Sequence, residues 1–270
     1  YCTVHCPLHN HIPDWLKLAA EDRLEEAYHL SSSTNNLPEM TGRICPQDRL
    51  CEGNCVIEQS GHGSVTIGSI EKYLTDTAFE NNWVKPIHLE KYQIRNESIG
   101  IIGSGPAGLA AADELRKKGY KIEIYDRYDR AGGLLIYGIP NFKLEKEIVQ
   151  RRTKLLEDSG VEFKLNFNVG KDKTFNELRE EHHAIVIATG VYKSRNINLN
   201  ENKFSNVIPA SVSFGKFIFV IVTNFSNSIS IRPFNLSNSK SRLIVSILVL
   251  HSGHNSPPCL HQRIKQFRQK

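Results

Sequence analysis

The stretch SIGIIGSGPAGLAAADELRKKGYKIEIYDR, residues 98–127, constrains the fold of this chain more than any other. It reads as a strand, a tight turn, a helix and a second strand. Ile99, Ile101 and Ile102 lead into Gly103-x-Gly105-x-x-Gly108, and Ile122 to Tyr125 end at Asp126. Each glycine has a mechanical reason: the first makes the turn, the second lets backbone approach a pyrophosphate, the third packs helix against strand. The helix N-terminus then faces the anion. Asp126 falls 18 residues past Gly108, close to the acidic position that bonds an adenosine ribose. A glycine triplet alone is weak, but strand before, helix after and an acid at this distance together specify a dinucleotide site.

The sequence continues YDRAGGLLIYGIPNFKLEKEIVQRR, and Arg130-x-Gly132-Gly133 shortly after the acid is a feature of flavoproteins rather than simple dehydrogenases. Farther on, AIVIATG at 184–190 is an apolar strand whose end, Thr189-Gly190, offers a second flavin contact. FAD is therefore expected in preference to NAD. A helix at about 144–159 and a strand at 161–165 continue the alternating plan.

Five of the six cysteines lie in the first 55 residues, as Cys2-x3-Cys6-Pro7 and Cys45-x5-Cys51-x3-Cys55, while Cys259 stands alone. Disulfides would suit a small secreted domain but leave an odd cysteine beside a nucleotide-binding pattern. Zinc usually takes closer paired spacings. Cys-x3-Cys-Pro is the end of a run that holds [4Fe-4S] clusters, in which the cysteine before proline ligates the other cluster. That is the expected chemistry. A Cys-x2-Cys normally precedes such a run, so the first residues read as the second half of a cluster loop whose first half is missing.

Between the cysteine groups, a helix is expected to open at Pro13, with Trp15, Leu16, Ala19, Leu24, Ala27 and Tyr28 apolar. After the last cysteine, Ile67, Ile70, Tyr73, Leu74, Thr77 and Ala78 recur at helical spacing. The cysteines would be presented by loops between packed helices. On spacing alone Glu71 lies beside that stripe, as a solvated glutamate.

The net charge of +5 is unevenly placed: residues 1–190 carry 23 Lys+Arg against 28 Asp+Glu, and residues 191–270 carry 11 against 1. The basicity belongs to the tail, which is Ser/Asn-rich and has no acidic residue after Glu201. It reads as atypical, non-native-like sequence of the kind a frameshift or read-through leaves, and it does not make this a nucleic-acid-binding protein. The runs FIFVIV at 217–222 and LIVSILVL at 243–250 are strand-length rather than membrane-spanning. No membrane partner is expected.

CPLHNHIPDWLKLAAEDRLEEAYHLSSSTNNLPEMTGRICPQDRLCEGNCV, VTIGSIEKYLTDTAFENNWV and GGLLIYGIPNFKLEK resemble the small (beta) subunit of NADPH-dependent glutamate synthase. That family in turn resembles the N-terminal half of dihydropyrimidine dehydrogenase. The resemblance is carried by residues 1 to about 195. It implies an α + α/β plan: a helical [4Fe-4S]-binding domain at 1–90, a partial FAD-binding, doubly wound βαβ domain at 98–195, and the atypical tail at 196–270.

The resemblance also implies roles. Cys2 and Cys55, with two cysteines upstream, would hold one [4Fe-4S] cluster. Cys6, Cys45 and Cys51 would hold the other, completed by Glu71 as the non-cysteine ligand, which overturns the bland reading of that glutamate. For FAD it adds Gly105, Pro106, Ala107 and Gly108, Asp126, Gly133, Leu134, Lys143 and the backbone of Val169. It implies a cytoplasmic oxidoreductase subunit that takes hydride from NADPH and passes single electrons to a large (alpha) subunit or an equivalent acceptor. A pyrimidine reductase-like enzyme, or a non-catalytic cluster- and flavin-binding fragment, is the alternative. The family carries a second glycine fingerprint for NADPH. Here Gly215 and Gly253 are the only glycines after Gly190, so that site is expected to be missing.

Overall fold

The computed structural model describes residues 1–90, 93–190, 220–225 and 228–233. The first part is all helical. It comprises α1 (Cys2–His5), α2 (Ile12–Ala20), α3 (Leu24–Ser32), α4 (Pro38–Ile44), α5 (Val56–Gln59) and α6 (Ile67–Glu80), with two 3-10 turns at Gln47–Arg49 and Glu52–Asn54. Proline stands in the first turn of α2 and α4, where its missing N–H costs nothing. The helix expected to run from Pro13 through Tyr28 is two helices. The break falls at Asp22, which takes a left-handed φ of 60°, and Arg23 N returns a hydrogen bond to Leu18 O at 2.9 Å. An aspartate can adopt that conformation, so no glycine or proline marks the break.

The helices close over Trp15, Ile12, Ala27, Cys51, Ile67 and Leu74. Trp15 is almost fully buried and donates its indole N–H to Asn10 Oδ1 at 2.7 Å, while Asn10 Nδ2 donates to Ser31 O. Helices α4 and α6 cross backbone to backbone. A Cβ on Gly42 would lie 2.7 Å from Lys72 N and 3.0 Å from Gly68 O, so only glycine permits the approach.

The second part is a sheet with helices. It contains β1 (Ser98–Ile102), α7 (Pro106–Lys117), β2 (Lys121–Tyr125), α8 (Leu134–Tyr137), α9 (Lys146–Asp158), β3 (Val161–Lys164), α10 (Phe175–Glu181), β4 (Ala184–Ile187), β5 (Val220–Phe225) and β6 (Ser228–Pro233). The strand order is β3-β2-β1-β4-β5-β6. The first four are parallel, with Ile99 opposite both Ile122 and Ala184, and β5 and β6 add antiparallel at the edge. The α/β expectation for this half is met, as is the all-helical expectation for the first. The rest of the tail, with LIVSILVL, Gly215, Gly253 and Cys259, lies outside the described residues. Among the described residues no helix is long and apolar enough to cross a membrane.

The main core joins the two parts. Leu37 from the segment before α4 and Met40 within it pack with Ile101, Leu109, Ile124, Leu144, Val149 and Leu156. Around that apolar joint runs a polar one. Arg152 on α9 donates to both oxygens of Glu39 on α4, Nη2 to Oε2 at 2.7 Å, with both side chains buried. Arg43 Nη2 donates to Asp76 Oδ2 at 2.7 Å and its Nε to Glu145 Oε2 at 3.3 Å. Asn36 reaches Asp113 and Glu114 on α7, both at 2.6 Å.

Candidate cluster cavity and dinucleotide cleft

The cysteines sit at helix ends, with Cys2 the first residue of α1. Cys6 closes α1, Cys45 closes α4, Cys51 lies between the 3-10 turns and Cys55 opens α5. Two ties hold this rack. Gln47 Nε2 donates to Thr41 O at 3.1 Å, and Glu52 Oε1 accepts from Gly68 N at 2.9 Å, joining the cysteine turns to α4 and α6. The five cysteines among the described residues form no disulfide.

Cys6, Cys45, Cys51 and Glu71 line one cavity, walled by Leu8, Ile12, Trp15, Leu50 and Ile67. These are the four residues the family resemblance assigned to one cluster. Burial pushes the Cys6 and Cys45 thiols up and the Cys51 thiol up to about 12, and neighbouring negative charge adds to each. Free thiolates would be unfavourable here. A group that replaces the protons with positive charge would reverse that, because metal binding deprotonates thiols. Among the described residues no three such side chains converge closely enough for a single ion. Three thiols and one carboxylate lining a single cavity match the four donors of a [4Fe-4S] cluster, one for each iron. Cys2 and Cys55 do not line the cavity. Cys55 behaves differently, with its thiol lowered by backbone N–H groups, that of Val65 first.

Glu71 is not the solvated residue that spacing suggested. Ile67, Leu74, Thr75 and Ala78 of α6 are buried and half-buried Glu71 lies on the same face, lining the cavity, whereas Tyr73, expected in the stripe, is 57% exposed. Burial pushes the Glu71 carboxyl up to about 7, against hydrogen bonds from Thr41 and Asn35. Thr41 Oγ1 donates to Oε2 at 2.9 Å and Asn35 Nδ2 to Oε1 at 3.1 Å. Asn35 and Thr41 were not singled out in the sequence.

The glycine turn forms the second site. Gly103 takes a φ of 105°, Gly105 caps α7, and Pro106 and Ala107 make its first turn. A Cβ on Gly108 would lie 1.9 Å from Gly103 O, whereas one on Gly105 would meet nothing within 4 Å. Space therefore opens over Gly105, at a helix N-terminus, as a bound pyrophosphate requires. Gly132 N donates to Ser104 O, and a Cβ on Gly133 would lie 2.8 Å from Gly105 Cα, so the second glycine pair is seated on the first.

Gly103, Asp126, Val169 and Thr189 come together in one cleft with Tyr125, Arg127, Phe167 and Asn168. Asp126 Oδ2 accepts from Ser104 N at 2.7 Å and Ser104 Oγ at 2.6 Å, and Oδ1 accepts from Tyr128 N at 3.0 Å. A carboxylate has about four acceptor positions, so one on Oδ1 is left for a ribose hydroxyl. Ser104, an x in the motif, was missed because only its structural partner gives it a role. Gly190 ends this segment with a φ of 76°. The remaining flavin candidates lie elsewhere. Arg130 is stacked over the Tyr137 ring, Leu134 is partly exposed at the start of α8, and Lys143 lines a separate polar cleft with Arg43, Gln47, Gly68 and Lys72.

A cysteine-lined cavity in the helical half, together with a glycine turn at a helix N-terminus in the sheet half, points to the class of iron-sulfur, dinucleotide-binding redox proteins. Two family models agree: dihydropyrimidine dehydrogenase domain II, 4Fe-4S cluster, over residues 1–83, and the NAD(P)-binding Rossmann-like domain over 101–140. Within that class the chain belongs to the glutamate synthase [NADPH] small-chain family. It is 51% identical to the Azospirillum brasilense small chain over 97% of this chain and 56% of that one. It is 60% identical to a putative Cereibacter sphaeroides small chain over 68% of this chain and 43% of that one. A putative oxidoreductase of Escherichia coli, AegA, is 46% identical over 73% of this chain and 30% of its own. The chain thus spans about half the length of the curated relatives it matches. The Azospirillum similarity runs past residue 195, where the sequence shows no shared motif.

Proposed function

We propose that this chain is the electron-relay part of a glutamate synthase small chain, working in the cytoplasm beside a large-subunit acceptor. Its two sites would carry electrons from NADPH through FAD and [4Fe-4S] clusters. The observation that supports this most is the convergence of Cys6, Cys45, Cys51 and Glu71 on one cavity in a chain that also forms the glycine turn. When bound, FAD exchanges a hydride for single electrons and the clusters carry those electrons; the chain supplies binding, spacing and potential. Gly105 to Gly108 and the N-terminus of α7 would hold the pyrophosphate, Asp126 the ribose, and Val169 and Thr189 the rest of the cleft. Arg130, Gly133, Leu134, Lys143 and Gly190 are retained as contacts for the remainder of the flavin. Cys2 and Cys55 would serve a second cluster. The domain division, 1–90 and 98–195 with a separate tail, belongs to the same reading.

Iron and sulfide analysis after anaerobic reconstitution tests it. The expected result is one [4Fe-4S] cluster held firmly and the other poorly, with equal iron and sulfide. Zinc in place of iron, or no metal, would overturn it. The AegA similarity favours a second reading, an oxidoreductase with a different acceptor. Co-purification with a glutamate synthase large subunit separates the two.

A further inference from the structure

Both oxygens of Glu71 are already held by side chains that line the same cavity as the thiols, Asn35 and Thr41. We propose that Asn35 and Thr41 are positioning residues, which fix the Glu71 carboxylate toward the cavity and temper its donation to iron. This rests on the reading that Glu71 completes the cluster formed with Cys6, Cys45 and Cys51.

The network has little freedom. Asn35 is 4% exposed, and its amide is oriented from both ends: Oδ1 accepts from Leu37 N at 3.1 Å, so Nδ2 must be the end that faces Thr41 Oγ1 at 2.7 Å and Glu71 Oε1. Thr41 has a single hydroxyl proton. Pro38 O at 3.2 Å and Leu37 O at 3.4 Å compete for it, but the carboxylate oxygen at 2.9 Å is nearer and charged, so the proton goes to Glu71. Each Glu71 oxygen then has one donor and keeps acceptor capacity for the cavity. The arrangement does two things. It prevents the carboxylate from swinging away from the thiols, and it draws negative charge off both oxygens, so a bound iron receives less electron density. Partners of this kind, one step out from a ligand, tune both metal retention and potential.

The test uses the full-length protein reconstituted anaerobically, with circular dichroism and FAD content as controls for folding. Thr41→Val keeps the shape and removes the proton. It should lower the midpoint potential of this cluster, shift its electron paramagnetic resonance g-values, and weaken iron retention against a chelator roughly 10- to 100-fold. Thr41→Ser should restore all three, and Asn35→Ala should act in the same direction as Thr41→Val. Glu71→Ala separates this inference from the reading beneath it. If Glu71→Ala leaves the spectrum and potential unchanged, Glu71 is not a ligand and both ideas fall. If Glu71→Ala changes them while folded Thr41→Val does not, Glu71 is a ligand and the positioning role is overturned. Should Asn35→Ala fail to fold, the Thr41→Val and Thr41→Ser pair decides.

Discussion

Replacing Asp126 by alanine should destabilise the protein before any cofactor is considered. The carboxylate accepts three hydrogen bonds, two from Ser104 and one from Tyr128 N. Tyr128 is exposed and its amide can turn to water, so its loss costs little. Ser104 is fully buried, and its amide and hydroxyl would be left without an acceptor. Hydrogen bonds to a charged group are each worth about 1.5 to 3 kcal/mol net. Because the two Ser104 bonds share one oxygen, we take the lower end, for a total of about 3 kcal/mol. In a chain of this size that lowers the melting temperature by about 6 to 12 °C. Asp126→Asn keeps one acceptor oxygen and should lose about half as much. Thermal melts of the FAD-free protein measure this term alone. Titration with FAD then measures what is added by the ribose, an expected further weakening of about 1 to 3 kcal/mol. An unchanged melt for Asp126→Ala would refute the argument that this side chain holds the glycine turn.

Gly105→Ala should leave the FAD-free melt within about 1 kcal/mol of the parent, because a Cβ there meets nothing within 4 Å, yet weaken FAD strongly; equal losses in both would show the opening to be structural. Glu39→Ala strands a buried guanidinium and should cost about 3 to 5 kcal/mol by denaturant unfolding, while the double change Glu39→Leu/Arg152→Met should cost much less. Burial holds His182 below its ordinary value, against Glu123 and Glu181, so the fold keeps it neutral while the unfolded chain takes a proton below about pH 6.5. Its contribution is present above that pH and lost as pH falls toward the folded value, so His182→Gln should shrink the stability difference between about pH 7.5 and about pH 5.5; an unchanged difference would rule out this titration.

The sheet half was legible because its signals are local. Period-two apolar runs and a glycine turn place β1, α7 and β2 within a residue or two, and the parallel order follows from alternation with helices. The helical half was legible in its cysteines and less so in its faces. On α6, Tyr73 and Leu74 compete for one stripe, and periodicity admits both. The true face is Ile67, Glu71, Leu74 and Ala78, at i, i+4, i+7 and i+11, with an acid inside it that no hydrophobic pattern would include. What turns that face inward is the Gly42 crossing, a contact between elements distant in sequence. Asn35 was hidden for the same reason. In SSSTNNLPE it reads as a polar loop, and only the fold makes it a buried donor.

The joint between the two halves bears on function as well as stability. Leu37 and Met40 would suffice as an apolar contact, yet the seam also carries Glu39 with Arg152, Arg43 with Asp76 and Glu145, and Asn36 with Asp113 and Glu114. The buried Glu39–Arg152 pair adds little net stability over an apolar replacement, but it fixes registry, since a slide would strand a buried charge. Arg43 stands two residues before Cys45, and Glu145 two residues after Lys143, so this one guanidinium ties the end of α4 to the segment that enters α9. Between them lies the polar cleft of Lys143, Gln47 and Gly68, and Gln47 and Gly68 also line the cysteine cavity. In the proposed relay, whose chemistry would belong to its cofactors, the protein's task would be to hold donor and acceptor at a set separation. An apolar joint would let that separation drift, whereas the buried Glu39–Arg152 pair and the Arg43–Glu145 tie across the seam would hold it.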